Sequence, residues 1–451
     1  MAIGLRVDWE VRTTGSDNNG GGFNRDTAGT DRSQQDTPHY TGSDLNINAS
    51  VSTRVNCGSY TFTSADIGNM INIASGTGFT PGIYEIIGIT SGEANIDRSC
   101  GTTSSSGGTW ALGGALASLG KAGEIHNNRN TIYIKAGTYT LTSSSVNVSG
   151  GIFKPKNGTV DSNGINFTRI IGYDTVRTFQ PIENRPIIKN STFESIAIIN
   201  NSDDNTKQVI LCNIEVDGNN RTGVSGFLSN TQNVVHVNCI ARNCPSTGFS
   251  ISASWNQRSL VGCRAFNCGT GYSTLGNPRI LAFCLAKSCG TGFSVAEDAL
   301  FGCVASHCDI GYEYTFTKAD MFNCISYGCT LGVNADITNG VVANHVSYND
   351  ITVWSNSQPR RQPLIYNMYY GGNTTKISGF NIDVSDMSPY PWVTLSANPF
   401  NDPDNLDFSF NTSTGATQLI EAGFPPDMLN IRNTADYDFP SGGGSIIVIE
   451  D

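Results

Sequence analysis

Apolar and polar residues alternate over short stretches along much of this chain. In "NTIYIKAGTYTLTSS" (130–144), Ile132 and Ile134, then Tyr139 and Leu141, stand two apart. That is the period of a half-buried strand, so the pattern predicts two strands around the "AGT" turn. Nearer the start, "TFTSADIGNMINI" (61–73), "GIYEIIGI" (82–89) and "EANID" (93–97) read as strands divided by glycine turns. "ALGGALASLGKAG" (111–123) spaces small residues as a short helix would, and is expected to cap the strands after it.

A longer rhythm lies over this one. "LVGCRAFNCGTGYS" begins at Leu260, "LAFCLAKSCGTGFS" at Leu281, "LFGCVASHCDIGYE" at Leu300 and "MFNCISYGCTLGVN" at Met321, with a looser copy, "HVNCIARNCPSTGFS", at His236. Aligned on Cys239, Cys263, Cys284, Cys303 and Cys324, the copies are 24, 21, 19 and 21 residues apart. Two positions on stand Ala241, Ala265, Ala286, Ala305 and Ser326, and five on stand Cys244, Cys268, Cys289, Cys308 and Cys329. Gly248, Gly271, Gly292, Gly311 and Gly332 come next, each before Phe249, Tyr272, Phe293, Tyr312 or Val333.

A period of about 20 residues marks a solenoid. Leucine-rich repeats need leucines that are missing here, and helical repeats need a longer period. Cys-x-Ala puts both side chains on one face of a strand. The glycine is expected to turn a corner at positive φ, and the aromatic to open the next strand facing inward. The fold class is therefore all-β: a right-handed parallel β-helix solenoid with a β-rich N-terminal region and an irregular or β C-terminal cap. Stacked coils place identical side chains in files about 4.8 Å apart. "VANHVSYNDITV" (342–353) extends the rhythm, with Asn344 and Asn349 read at the two cysteine positions, where stacked amides can bond along a file. About ten coils of roughly 22 residues give roughly 50 Å of rod.

The ten repeat cysteines are read as buried thiols packed as small hydrophobes. A zinc site is disfavoured, because no histidine stands at ligand spacing. Disulfides between coils are geometrically conceivable, but cytosolic synthesis favours thiols. Cys57 and Cys100 lie outside the repeat.

Composition narrows the function. Of 451 residues, 14% are charged and 50 are glycine, and the net charge is -11. No basic block forms a nucleic-acid face. No run of some eighteen apolar residues crosses a membrane, and "MAIGLRVDWEVRTTG" is not a signal peptide. No cofactor and no metal is expected. Texture divides the chain into a β-rich attachment region (1–125), the β-helix (126–358) and a cap or oligomerisation region (359–451).

The coil repeat resembles the pectin-lyase-like superfamily of right-handed parallel β-helix proteins. The opening "VDWEVRTTGSDNNGGGFN", with "YTFTSADIGNMINIASGTGFTPGIYEI", is similar to the N-terminal regions of β-helix proteins of tailed bacteriophages. "NPFNDPDNLDFSFNTSTGATQLIEAGFP" resembles the segment after their last coil. The resemblance implies a virion component of the decoration, fibre or tail-spike kind, made in the host cytoplasm and released by lysis. Its implied partners are other virion proteins, further copies of the chain (a homotrimer favoured) and host surface polysaccharide.

The same superfamily contains polysaccharide lyases and glycoside hydrolases, which implies a second class of function. Such hydrolases place carboxylates on neighbouring coils. Here Asp203 and Asp204 of "NSDD" and Asp217 and Arg221 of "DGNNR" are the weak candidates, with a turn the simpler reading of the second motif. Glu297, Asp298, Asp309 and Glu313 are read as a solvated acidic face. Trp255, Trp354, Tyr369, Tyr370 and Trp392 are the aromatics offered as sugar platforms, or as a subunit interface.

Overall fold

The computed structural model describes residues 6–421, apart from 128, 142–150, 154–158, 162–163, 167, 202–208, 230–233, 253–258, 276–279, 297, 315–319, 336–340, 356–363, 372–374 and 379–392. It is all-β with a parallel β-solenoid. The chain divides into two compact units, 1–179 with 184–215, and 180–183 with 216–451.

In the first unit, strands Tyr40–Asn48, Val51–Asn56, Met70–Phe79, Gly82–Thr90, Glu93–Ile96 and Gly101–Leu112 close into an antiparallel barrel. Their alternation turns Leu45, Ile47, Val55, Ile71, Ile73, Ile86 and Trp110 into its core. The strand expected over 61–73 begins only at Met70. Before it, Ser64–Asp66 makes a 3-10 turn, because the buried Asp66 accepts from the Thr63 amide at 2.9 Å and from Arg32 at 3.0 Å.

The same unit carries parallel pairing from the start of the chain. Val7–Val11 pairs with Thr131–Lys135, which pairs with Thr168–Tyr173, which pairs with Val209–Cys212. Gly137–Leu141 pairs with Pro186–Asn190 as expected of the 130–144 stretch. Parallel strands therefore begin well before residue 126. The helix expected within 111–123 spans Leu119–Ile125, since Gly113 and Gly114, at φ of 65° and 76°, end the preceding strand, and Ser118 caps the Lys121 amide at 3.1 Å.

The second unit is the repeat itself. Its coils stack three parallel ladders. The first runs through Val234–Val237, Ser259–Val261, Ile280–Ala282, Ala299–Phe301 and Asp320–Phe322. The second runs through Ile240–Arg242, Arg264–Phe266, Leu285–Lys287, Val304–Ser306 and Ile325–Tyr327. Val341–Tyr348 continues both. The third passes from Ser225–Ser229 to Thr375–Ser378. Pairing continues beyond residue 358 through Leu364–Gly371 to Val393–Thr394. Residues 395–421 then return along the side of the unit. Leu395, Phe400, Leu406, Phe408 and Leu419 cover the outward column Leu285, Val304, Ile325 and Val346.

Candidate functional site

The inside of the second unit is built from side-chain files. All ten repeat cysteines are buried free thiols. Each stands just after a residue at positive φ. Asn238, Gly262, Phe283, Gly302 and Asn323 precede the first file, and Asn243, Asn267, Ser288, His307 and Gly328 the second, all between 52° and 63°. That turn leaves the carbonyl two residues before each cysteine facing the thiol, which donates to it at 3.3 to 3.7 Å. The thiol is thus both a small apolar filler and a donor for a corner carbonyl.

The glycines therefore do not supply the positive φ. Gly248, Gly271, Gly292, Gly311 and Gly332 sit within the third ladder because the coil is narrow there. A Cβ on Gly292 would lie 2.5 Å from the Gly311 carbonyl oxygen and 3.2 Å from the Ala305 Cβ. The aromatics behind them stack face to face: Phe227, Phe249, Tyr272, Phe293 and Tyr312, with centroids 4.8, 5.0, 4.7 and 5.1 Å apart. Each such pair adds about 0.5–1.5 kcal/mol beyond its buried area. The Tyr272 and Tyr312 hydroxyls donate to the carbonyls of Cys263 and Cys303 at 2.6 and 2.7 Å.

The reading of Asn344 and Asn349 as file members is one residue out. Ile325 pairs with Val346, so His345 and Asp350 take the cysteine positions, while Asn344 and Asn349, at φ of 54° and 57°, continue the corners. Asn344 still bonds along its corner file, to Asn323 at 3.1 Å. The inward change is chemical. Ser326 and Ser347 replace alanine, and both hydroxyls donate to Asp350, from Ser326 at 2.5 Å. The Cys329 amide donates to the other carboxylate oxygen at 2.7 Å, and His345 Nε2 lies 3.2 Å from Ser326 Oγ. All four side chains are buried. Burial pushes the Asp350 carboxyl up to about 6 against these hydrogen bonds, and pushes His345 down to about 3.

A second polar cluster occupies the outer face of the first parallel sheet, in the first unit. "VDWEV" sends Val7, Trp9 and Val11 inward and leaves Asp8 and Glu10 outward beside Tyr133. Glu10, fully buried, receives Arg12 at 2.7 Å, Arg177 at 2.6 Å and the Tyr173 hydroxyl. Arg177 also reaches Asp31 at 3.1 Å, and its guanidinium lies 4.3 Å over the Tyr133 ring. Burial raises the Asp8 carboxyl above the usual range, and Arg25 and Arg177 pull it part of the way back. With Glu10 saturated and Arg177 only 12% exposed, the cluster is a closed lock of strand Val7–Val11 to the loops that carry Asp31 and Arg177. Among the described residues no group of three or more His, Cys, Asp or Glu has metal-holding geometry.

The other residues singled out in the sequence are scattered, and most serve the fold. Asp217 accepts from the Asn219 amide at 2.8 Å and from Asn243 Nδ2 at 3.0 Å, which makes it a corner cap. Arg221 lies in that same turn, its amide bonded to Gly218. Trp354 is fully buried, paired with Val333 in the aromatic file, so it is core and not a sugar platform. Tyr369 and Tyr370 lie in strand Leu364–Gly371, in register with Val346 and Ser347. Asp203, Asp204, Trp255, Trp392 and Glu297 are outside the described residues. Asp298 is buried and accepts from the Thr274 hydroxyl, so it leaves the expected acidic face, where Asp309 is exposed and Glu313 half-buried. His345, Asp350, Glu10 and Arg177 were missed. The first two were hidden by the one-residue slip, whereas the charges alternating with buried residues in "VDWEV" were a signal for Glu10.

No family model and no curated protein matches the chain. Solved structures with a similar fold include a rhamnogalacturonan lyase, 10% identical over 67% of this chain and 90% of that one, with a TM-score of 0.46. Pectate lyase Pel9A is 13% identical over 70% and 84%, with a TM-score of 0.39. The A-module of mannuronan C-5 epimerase AlgE4 from Azotobacter vinelandii is 14% identical over 55% and 79%, also with a TM-score of 0.39. These likenesses add no function to the parallel β-solenoid that the strand pairing itself shows.

Proposed function

We propose that this chain is a non-enzymatic structural component of a bacteriophage particle: a rigid β-solenoid of the decoration, fibre or tail-spike kind. It assembles with other virion proteins and with copies of itself, a trimer being favoured, and it contacts host surface polysaccharide. The observation that carries the reading is how the polar groups of the described coils are used. Asp217 caps a corner, Asp350 is buried in the coil interior, and Glu10 is saturated by two arginines and a tyrosine. Each stiffens the fold. The resemblance of the opening residues to phage β-helix proteins supplies the particle.

Mass spectrometry of density-purified particles from the source culture tests this. Peptides of the chain at near-stoichiometric abundance are expected. Their absence from particles, with the chain present in the medium, would overturn it and favour the polysaccharide lyase or hydrolase alternative. That alternative expects cleavage of a host glycan that is lost when Asp203, Asp204 and Asp217 are changed to Asn, and unchanged cleavage would move its site elsewhere.

A further inference from the structure

The repeat poses a folding problem. From Cys239 to Tyr312 every coil presents the same inward residues: the cysteines recur, alanine meets alanine and aromatic meets aromatic. These files are locally self-consistent in more than one pairing. A coil could settle on the coil two before it, with the intervening residues looped out. Loop entropy resists this only weakly, since it grows slowly with length. Misassembly of this kind is a characteristic failure of repeat proteins. Apolar contacts, being non-directional, do not discriminate between one alanine and the next.

One coil is different. Where cysteine gives way to His345 and Asp350, alanine gives way to Ser326 in the coil before and to Ser347 in the same coil. The bonds form one directed chain. The Ser326 hydroxyl donates to Asp350 Oδ2 at 2.5 Å, so its oxygen is left to accept from His345 Nε2, 3.2 Å away, in the tautomer protonated there. Ser347 donates to that same oxygen, and the Cys329 amide to Oδ1. Two of these partners, Ser326 and Cys329, belong to the coil beneath. The file that contributes Ser326 offers only Ala241, Ala265, Ala286 and Ala305 in the earlier coils.

We propose that the Ser326–His345–Ser347–Asp350 group is a register anchor, which lets the coil of His345 and Asp350 stack on the coil of Cys324 and Cys329 and on no other. Stacked on the coil of Cys303, Asp350 would face Ala305, and its buried carboxylate would lose the inter-coil hydroxyl. An unmet buried polar group is strongly disfavoured, and this is how a single buried polar residue sets register in coiled coils. The return of 395–421 packs across Leu285, Val304, Ile325 and Val346, so it needs these coils stacked in this order.

The test restores the repeat. The full chain carrying Ser326→Ala, His345→Cys, Ser347→Ala and Asp350→Cys is refolded from denaturant beside the natural sequence. Hydrogen exchange is then read by mass spectrometry on peptides from 303–350. The expected result is a severalfold loss of native yield, with bimodal isotope envelopes over these peptides. A single population at the natural yield would overturn the proposal. Should the fourfold variant fail to fold, Ser326→Ala alone decides. It keeps the Ser347 and Cys329 bonds to Asp350 and removes the inter-coil hydroxyl with both of its bonds, to Asp350 and to His345, so two populations support the anchor and one sinks it.

Discussion

Asp350 stands one coil above Cys329 in the same inward file, and its carboxylate takes the Cys329 amide at 2.7 Å. A file that carries thiols through five coils thus continues into a buried acid. Burial raises that acid from an ordinary 3.8 to about 6. The folded state therefore binds its proton more tightly than the unfolded state does. Its contribution to stability is full below pH 3.8 and is lost as pH rises through 6. The difference of about two units corresponds to about 3 kcal/mol. Asp350→Asn removes this dependence, so the stability of the natural chain relative to this variant should fall between pH 4 and pH 7. Urea denaturation of both across that range measures it, and a flat difference would refute the assignment.

His345 works in the opposite direction. Burial holds it neutral, down to about 3 from 6.5. Its contribution is present above pH 6.5 and is lost as pH falls toward 3, because only the unfolded chain takes up the proton. The two groups oppose each other over the same window, so the natural chain has a flatter acid limb than either single variant. His345→Gln should therefore resist acid better than the natural chain, and acid titration followed by near-UV circular dichroism would show the midpoint move down.

The thiols give a third expectation. The ten repeat cysteines, with Cys100 and Cys212, are buried, and Cys57 alone is part-exposed. A thiol reagent added to the folded chain should label Cys57 first. The repeat cysteines should react only at the rate at which their coils open. Peptide mapping of the label resolves this, and prompt labelling of Cys284 or Cys303 would contradict the packing.

The coil repeat was legible because identical residues recur at one spacing, and Cys, Ala and aromatic side chains recurring together in that order fit a stacked strand coil and little else. What escaped was a single-residue offset. Asn344 and Asn349 looked like substitutes for cysteine because Asn can replace it chemically, yet the corner before each cysteine is itself an Asn-rich position. Asn238, Asn243, Asn267 and Asn323 all stand there at positive φ. Trp354 was misjudged for a related reason, since a lone tryptophan reads as a surface platform unless it is counted into the file after Val333. Glu10 itself had a signal in the alternation of "VDWEV", but its distant partners were beyond reach. Arg177 and Tyr173 lie 167 and 163 residues from Glu10, and the parallel pairing from Val7–Val11 through Thr131–Lys135 to Thr168–Tyr173 brings them to it, while Asp31 is reached by Arg177 from another loop.

That lock has a measurable consequence. Arg177→Met keeps much of the aliphatic stem but leaves Glu10 with only Arg12 and Tyr173, in a site closed to water. Breaking a buried pair from one side typically costs about 3–5 kcal/mol. The loss should appear locally, as faster hydrogen exchange in Val7–Val11 and in Thr131–Lys135, which pairs with it. Unchanged protection there would mean that the inward Val7, Trp9 and Val11 hold the strand without help.

The glycines of the third ladder and the residues at the corners separate two reasons for lacking a side chain. Glycine to alanine within a strand ordinarily stabilises by about 0.5–1 kcal/mol, through the entropy of the unfolded chain. At Gly292 the sign should reverse. A methyl group there meets the Gly311 carbonyl at 2.5 Å, and that oxygen belongs to the backbone of the next coil, whose ladder pairs Thr291 with Ile310 and Phe293 with Tyr312. It has no room to yield without breaking those pairs, so Gly292→Ala is expected to cost about 1–3 kcal/mol as overpacking. At Ser288 the demand is conformational instead, because φ of 55° strains a side chain that glycine would relieve. Ser288→Gly should leave the thermal midpoint unchanged or raise it, while Gly292→Ala lowers it. The reverse order would mean that the corner and the close approach had been assigned to the wrong residues.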